Sequence, residues 1–183
     1  MLDEAYADFA PEGTLPAIDP EDPRIIRLRT FSKAHGMAGL RVGYAITRAE
    51  TIRAFDKIRL HFGVNGIAQA GALASLGDRP YLESVVAAVA AGRQDYAQLA
   101  RELGMTPLPS AANFVTMDTG GAERARALLA ALADQDVFIR MPGAPPLDRC
   151  VRVTVGTPPE RAKFAEVLRG VWPEVVEKVP ADE

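Results

Sequence analysis

The chain has 183 residues, enough for one substantial domain or two small ones with a real core. Hydrophobic residues make up 48% and charged ones 25%, the balance of a soluble globular protein, and no apolar run approaches the ~20 residues that cross a bilayer. A net charge of −3 with scattered Lys and Arg offers no basic field for nucleic acid, while one cysteine and two histidines exclude a disulfide framework and the common zinc spacings, so no metal is expected.

Taken in chain order, Leu2-Asp3-Glu4-Ala5-Tyr6 reads as a strand end already in progress, and the basic flank and apolar stretch of a secretory leader are missing. A reducing cytosol is the expected location. Residues 11–23 hold four prolines and several acids and suit a surface loop. A strand is expected over 24–29, a loop over 30–39 and a second strand over 40–46. Thr47 or its neighbour can cap a helix over 48–60, with Ile52, Phe55, Ile58 and Arg59 near helical spacing. An alanine-rich helix follows over 67–76. Pro80 opens a long helix to about 103, striped by Val85, Val86, Val89, Tyr96 and Leu99 and stopped by Gly104. Then come a strand over 113–117, a helix over 122–133, strands over 137–140 and 150–155, and a helix over 158–170. Residues 173–183 are expected to fray. The fold class is α/β, with a mixed sheet domain over 1–78, a smaller α/β domain over 79–172 and a tail over 173–183.

The most informative segment runs Arg29-Thr30-Phe31-Ser32-Lys33-Ala34-His35-Gly36-Met37-Ala38-Gly39-Leu40-Arg41-Val42-Gly43-Tyr44. A deprotonated lysine amine on a rigid turn condenses with an aldehyde, and neighbouring cations lower its pKa. Thr30, Ser32 and Arg41 can bind a phosphate through two hydroxyls and a planar charged fork. The glycines let the backbone pass close to a ligand.

This segment resembles the lysine signature of the class I and II (fold type I) pyridoxal-phosphate aminotransferases, with a hydroxyl residue three before the lysine and an arginine eight after it. The string is most similar to the histidinol-phosphate aminotransferase branch. Leu2-Asp3-Glu4-Ala5-Tyr6 resembles the same family's strand-end motif, 30 residues before Lys33, and Cys150-Val151-Arg152-Val153-Thr154-Val155-Gly156-Thr157 resembles its C-terminal strand. The resemblance implies pyridoxal 5′-phosphate as cofactor and Lys33 as the catalytic lysine. Asp3 would sit at the pyridine nitrogen, Tyr6 at the ring oxygen, and Thr30, Ser32 and Arg41 at the phosphate. Arg152 would hold the substrate carboxylate, and Arg140 the far end of the substrate or its phosphate. A carboxylate beside the ring nitrogen keeps it protonated, which makes the ring an electron sink.

The resemblance covers about the second half of the family's length, namely the end of the cofactor-binding large domain, whose sheet is mostly parallel, and the small C-terminal domain. It implies transfer of an amino group between an amino acid or histidinol phosphate and a 2-oxo acid, in a cytoplasmic homodimer. A related decarboxylase of phosphorylated amino acids, or an inactive truncated fragment, are the alternatives. His61-Phe62-Gly63-Val64-Asn65 departs from the histidinol-phosphate pattern, which leaves the amino donor open. His35 reads as a local hydrogen-bonding residue, Asn113 as structural, and Cys150 as a small core residue.

Overall fold

The computed structural model describes residues 1–181. The chain divides into two compact units, Met1–Ala87 and Ala88–Glu183, with the division inside the long helix α3 (Arg79–Glu102).

The first unit is built on a three-stranded sheet. β1 (Leu2–Asp3) pairs in parallel with β2 (Arg27–Thr30), which pairs antiparallel with β3 (Gly43–Ile46). Two helices follow, α1 (Ala49–Asp56) and α2 (Gly66–Gly77). α1 is shorter than the expected 48–60; its N-cap is Arg48, which makes no side-chain cap bond, while Thr47, one residue earlier, donates its hydroxyl to Ile25 O at 2.9 Å and ties the segment after β3 to the segment before β2. None of its residues is buried, and Ile58, expected on its apolar stripe, is 82% exposed. α2 starts at Asn65, whose side-chain oxygen accepts Ala68 N–H at 2.8 Å. Only Ala68 and Ala72 of this helix are buried, while Ile67 and Leu73 stand out in solvent.

The second unit holds an antiparallel sheet ordered β4 (Thr106–Pro107), β5 (Phe114–Asp118), β6 (Cys150–Thr154), with α4 (Ala122–Ala133) and α5 (Pro158–Lys178). Strand alternation sets its core: Val115 faces Val153 and Met117 faces Val151, all buried, on one side of the sheet. Helical spacing supplies the rest through Leu128 and Leu132 of α4, and Phe164, Leu168, Trp172 and Val175 of α5. Tyr96 and Leu99 of α3 close the cluster.

Two expectations in this unit are corrected. The strand over 137–140 does not form, and only Arg140 makes a bridge, to Arg152. Asp136 turns the chain at φ 56°, Val137 N–H is spent on Leu132 O at 2.9 Å, and Pro142 lies just beyond, so a single residue is left to pair. α5 also runs on to Lys178 rather than stopping near 170, so residues 173–178 are helical rather than frayed. Its apolar stripe continues through Trp172 and Val175, each 5% exposed, and Trp172 Nε1–H donates to Leu103 O at 2.7 Å. Burying that stripe outweighs the proline at 173, which costs about 3 kcal/mol inside a helix. The expected tail reaches residues 182–183, which lie outside the described residues. Among the described residues no helix is long and apolar enough to cross a membrane.

Candidate functional site

In the first unit the lysine loop is fixed by hydrogen bonds among its own residues and by contacts to α2. Thr30 Oγ1 accepts Ser32 N–H at 3.0 Å, Phe31 N–H donates to Val42 O at 3.2 Å, and Met37 N–H returns to Phe31 O at 2.9 Å. Gly36 donates to Lys33 O at 2.9 Å with φ +69°, a left-handed turn that a side chain would strain. Phe31 and Ala34 are buried at 3% and 1%, which leaves Ser32 and Lys33 between them half-buried. The loop is also pinned to α2, since His35 Nδ1 lies 2.7 Å from Ser75 Oγ and the His35 ring packs 4.8 Å from Phe31.

Around this loop stand the other predicted residues of the unit. Lys33 Nζ lies 5.1 Å from the centre of the Tyr6 ring. Asp3 is exposed at the end of β1, with one carboxylate oxygen accepting Ala5 N–H at 3.0 Å. The register Asp3↔Leu28 puts Asp3, Leu28 and Thr30 on one face of the sheet. Arg41 has left-handed backbone at φ 53° and is exposed, with Nη1 donating to Ala38 O at 2.7 Å. Neither Lys33 nor Arg41 has a carboxylate partner among the described residues. An amine without a counter-ion beside a phenol, and a guanidinium without one at the same loop as two hydroxyls, fit a group that brings its own phosphate and carbonyl.

The second unit brings Arg140 and Arg152 together. Each donates its backbone N–H to the other's carbonyl, at 3.1 and 2.6 Å, so the two residues are directly opposed and project to one side. That side is the sheet face opposite the core, where the Arg152 guanidinium lies 4.9 Å from the centre of the Phe114 ring. Both arginines line a cavity of about 630 Å³ together with Tyr96, Phe138, Glu160 and Lys163. Among the described residues neither has a carboxylate partner. Two opposed, unpaired guanidiniums repel, and an anion between them relieves that repulsion.

Other predicted roles can be placed directly. Asn113 accepts Val155 N–H at 2.8 Å through its backbone carbonyl. Cys150 is 2% exposed; burial, then Asp118, push its thiol up, which keeps it an inert core residue. Sequence reasoning missed the buried Glu4. Its Oε2 accepts from Arg29 Nε at 3.0 Å, and its Oε1 lies 3.3 Å from Arg27 Nη1. Burial pulls the Arg29 guanidinium down, but hydrogen bonds to Glu4 and Tyr44 more than reverse this and hold it above the ordinary arginine value. The signal was present in Arg27-Leu28-Arg29, two cations two apart on a strand and so on one face.

Compared with known proteins, residues 1–168 match the family described as "Aminotransferase class I and II". A histidinol-phosphate aminotransferase of Roseiflexus castenholzii is 40% identical over 93% of this chain and 46% of its own length. Histidinol-phosphate aminotransferase 2 of Thiobacillus denitrificans is 37% identical over 93% of this chain and 48% of its own. Among solved structures, histidinol-phosphate aminotransferase from Sinorhizobium meliloti in complex with pyridoxal-5′-phosphate superposes with a TM-score of 0.88 and 45% identity, covering 97% of this chain and 48% of that one. The chain thus spans about half the length of the curated relatives it matches.

Proposed function

The chain belongs to the class I and II aminotransferases, and on that footing we propose that the protein transfers an amino group between an amino donor and a 2-oxo acid with pyridoxal 5′-phosphate as cofactor. Histidinol phosphate is the donor favoured by the names of its relatives. In this reading residues 1–78 are the end of the cofactor domain and 79–172 the small domain of a cytoplasmic homodimer. The observation that carries the proposal is Lys33, an amine with no carboxylate partner among the described residues, 5.1 Å from the centre of the Tyr6 ring on a loop with Thr30, Ser32 and Arg41.

Thr30, Ser32 and Arg41 would hold the cofactor phosphate, Asp3 the ring nitrogen and Tyr6 the ring oxygen. When bound, pyridoxal 5′-phosphate supplies an electrophilic carbonyl for the amino substrate and a protonated ring that takes up electron density. Lys33 Nζ would take the proton from the substrate Cα as general base and, as general acid, deliver it to the carbon that had carried the cofactor's carbonyl oxygen. Asp3 keeps a negative charge beside the ring nitrogen and so favours its protonated form. Arg152 orients the carboxylate of an amino-acid or 2-oxo-acid substrate through a two-point fork, and Arg140, opposed to it, takes a second anionic group such as the phosphate of histidinol phosphate, which has no carboxylate.

The test is Lys33→Ala in the full-length protein, followed by cofactor absorbance and by turnover with histidinol phosphate, glutamate, aspartate and aromatic amino acids. The expected result is loss of the visible band that a lysine-bound carbonyl gives, a fall in turnover of more than about 10²-fold, and an unchanged far-UV spectrum. Full activity in Lys33→Ala would exclude the assignment. Release of carbon dioxide in place of a 2-oxo acid would move the protein to the decarboxylases.

A further inference from the structure

β1 carries Asp3 yet has little of its own to fix its position. It pairs through two residues only, and Leu2 and Asp3 are both exposed, so apolar burial does not select its register. Because strand side chains alternate, a slip of one residue would turn Asp3 to the other face of the sheet.

The observed register divides the residues cleanly. Leu2 pairs with Arg27 and Asp3 with Leu28, and Glu4 N–H extends the ladder to Leu28 O at 2.9 Å. On the other side of β2, Arg29 pairs with Tyr44 and Thr30 with Gly43. One face therefore carries Leu2, Glu4, Arg27, Arg29 and Tyr44, and the opposite face carries Asp3, Leu28 and Thr30. On the first face the Glu4 side chain is 3% exposed and lies against Arg27 at 4% and Arg29 at 22%. Arg27 also donates to Pro16 O at 2.6 Å, which anchors the proline-rich loop to the same cluster.

We propose that Glu4 is the register lock of β1: its buried ion pairs with Arg27 and Arg29 on one face hold Asp3 and Thr30 together on the other, where the cofactor residues stand. A buried ion pair is often no more stabilising than a well-packed apolar replacement, and its best-attested use is to fix one register among several. Here the competing acid is adjacent in sequence. With the Glu4 carboxylate gone, Asp3 is the nearest replacement for two buried cations, and drawing it over would remove it from the cofactor face. Glu4 is thus a positioning residue that acts through Asp3. Its functional half rests on the cofactor reading above, whereas the register itself does not.

The experiment compares the chain of residues 1–183 as parent, Glu4→Gln, Glu4→Asp, and the apolar triple variant Glu4→Met/Arg27→Met/Arg29→Met, with Arg24→Ala as a surface control. Cross-strand backbone NOEs between residue 4 and Leu28 are measured without cofactor. Pyridoxal 5′-phosphate is then titrated, and the visible band and its pH midpoint are followed. Glu4→Gln should lose the NOE, weaken pyridoxal 5′-phosphate binding roughly tenfold or more and move the pH midpoint. Glu4→Asp should recover part of each. The triple variant should regain the parent's melting temperature without regaining the NOE or the affinity, and Arg24→Ala should change neither. A triple variant or Glu4→Gln with the parent's NOE and affinity would overturn the register lock. If the parent itself binds no pyridoxal 5′-phosphate, the cofactor reading fails for this chain, and the NOE pattern alone still decides the register.

Discussion

The two units solve the problem of holding a shape in different ways. In the second, apolar periodicities close on one another: β5, β6, α3, α4 and α5 each contribute to a single cluster in which Met117, Leu128 and Leu132 are fully buried. In the first, burial is thin and most of the chain's exposed large apolar side chains are found there, including Ile58, Leu60, Phe62, Ile67 and Leu73. What fixes it is directional: Glu4 between two arginines, Arg27 on Pro16 O, Thr47 on Ile25 O, and His35 beside Ser75. The residues assigned to the cofactor thus occupy the unit whose geometry is set by hydrogen bonds and charge, and those assigned to the substrate occupy the unit set by packing. Polar specification places a functional group accurately but adds little net stability.

The comparison breaks if truncation costs the two units equally. Leu128→Ala in α4 should destabilise the second unit by about 3–5 kcal/mol, because the side chain is fully buried and leaves a cavity in a close-packed cluster. The emission of Trp172, the chain's one tryptophan, reports unfolding of this unit in a urea titration. Leu73→Ala in α2, where the side chain is 75% exposed, should change stability by less than about 0.5 kcal/mol by far-UV circular dichroism. A large loss at Leu73 would mean that its face of α2 is covered in solution.

Packing density is sharpened by adding atoms. At Gly92 in α3 a new Cβ would collide with Val155 Cγ1 and press on Arg161 Cδ at 3.0 Å. Val155 follows β6 directly and Arg161 donates to Gly156 O and Asp95, so neither neighbour is loose. Gly92→Ala should therefore cost about 1–3 kcal/mol despite the better helix propensity of alanine, read again by Trp172 emission.

Legibility in the sequence followed the same division. Where one apolar period decides an element, as in α4 with Leu128 and Leu132 or β6 with Val151 and Val153, expectation and structure agree to within a residue or so at each end. Where a polar contact decides it, they part. Thr47 looked like a cap and is a strand tie, and Val137 looked like a strand residue but spends its N–H on a helix end. α5 runs beyond the expected end near 170 because Trp172 and Val175 are buried in the core, and that burial overrides the tendency of a chain end to fray. The lysine loop was legible because its chemistry is local in sequence. The Glu4 cluster was not, since its partners lie 23 and 25 residues away and only the parallel pairing of β1 with β2 brings them together.

A substitution expected to be neutral or stabilising is the finest probe of the first unit. At Gly71 in α2 an added Cβ would lie 3.1 Å from Met37 Cε and 3.4 Å from Leu40 Cδ1, both ends of flexible side chains on the lysine loop. Met37 has three rotatable bonds and can give by a few tenths of an ångström, whereas the alanine gains up to about 1 kcal/mol of helix propensity over glycine. Gly71→Ala should accordingly be neutral or stabilising by up to about 1 kcal/mol, measured by thermal melting followed by circular dichroism. If it destabilised the chain as strongly as Gly92→Ala, Met37 would have to be held as rigidly as Val155. The lysine loop would then be positioned by close packing against α2, and the hydrogen bonds around Phe31 and His35 would be secondary to it.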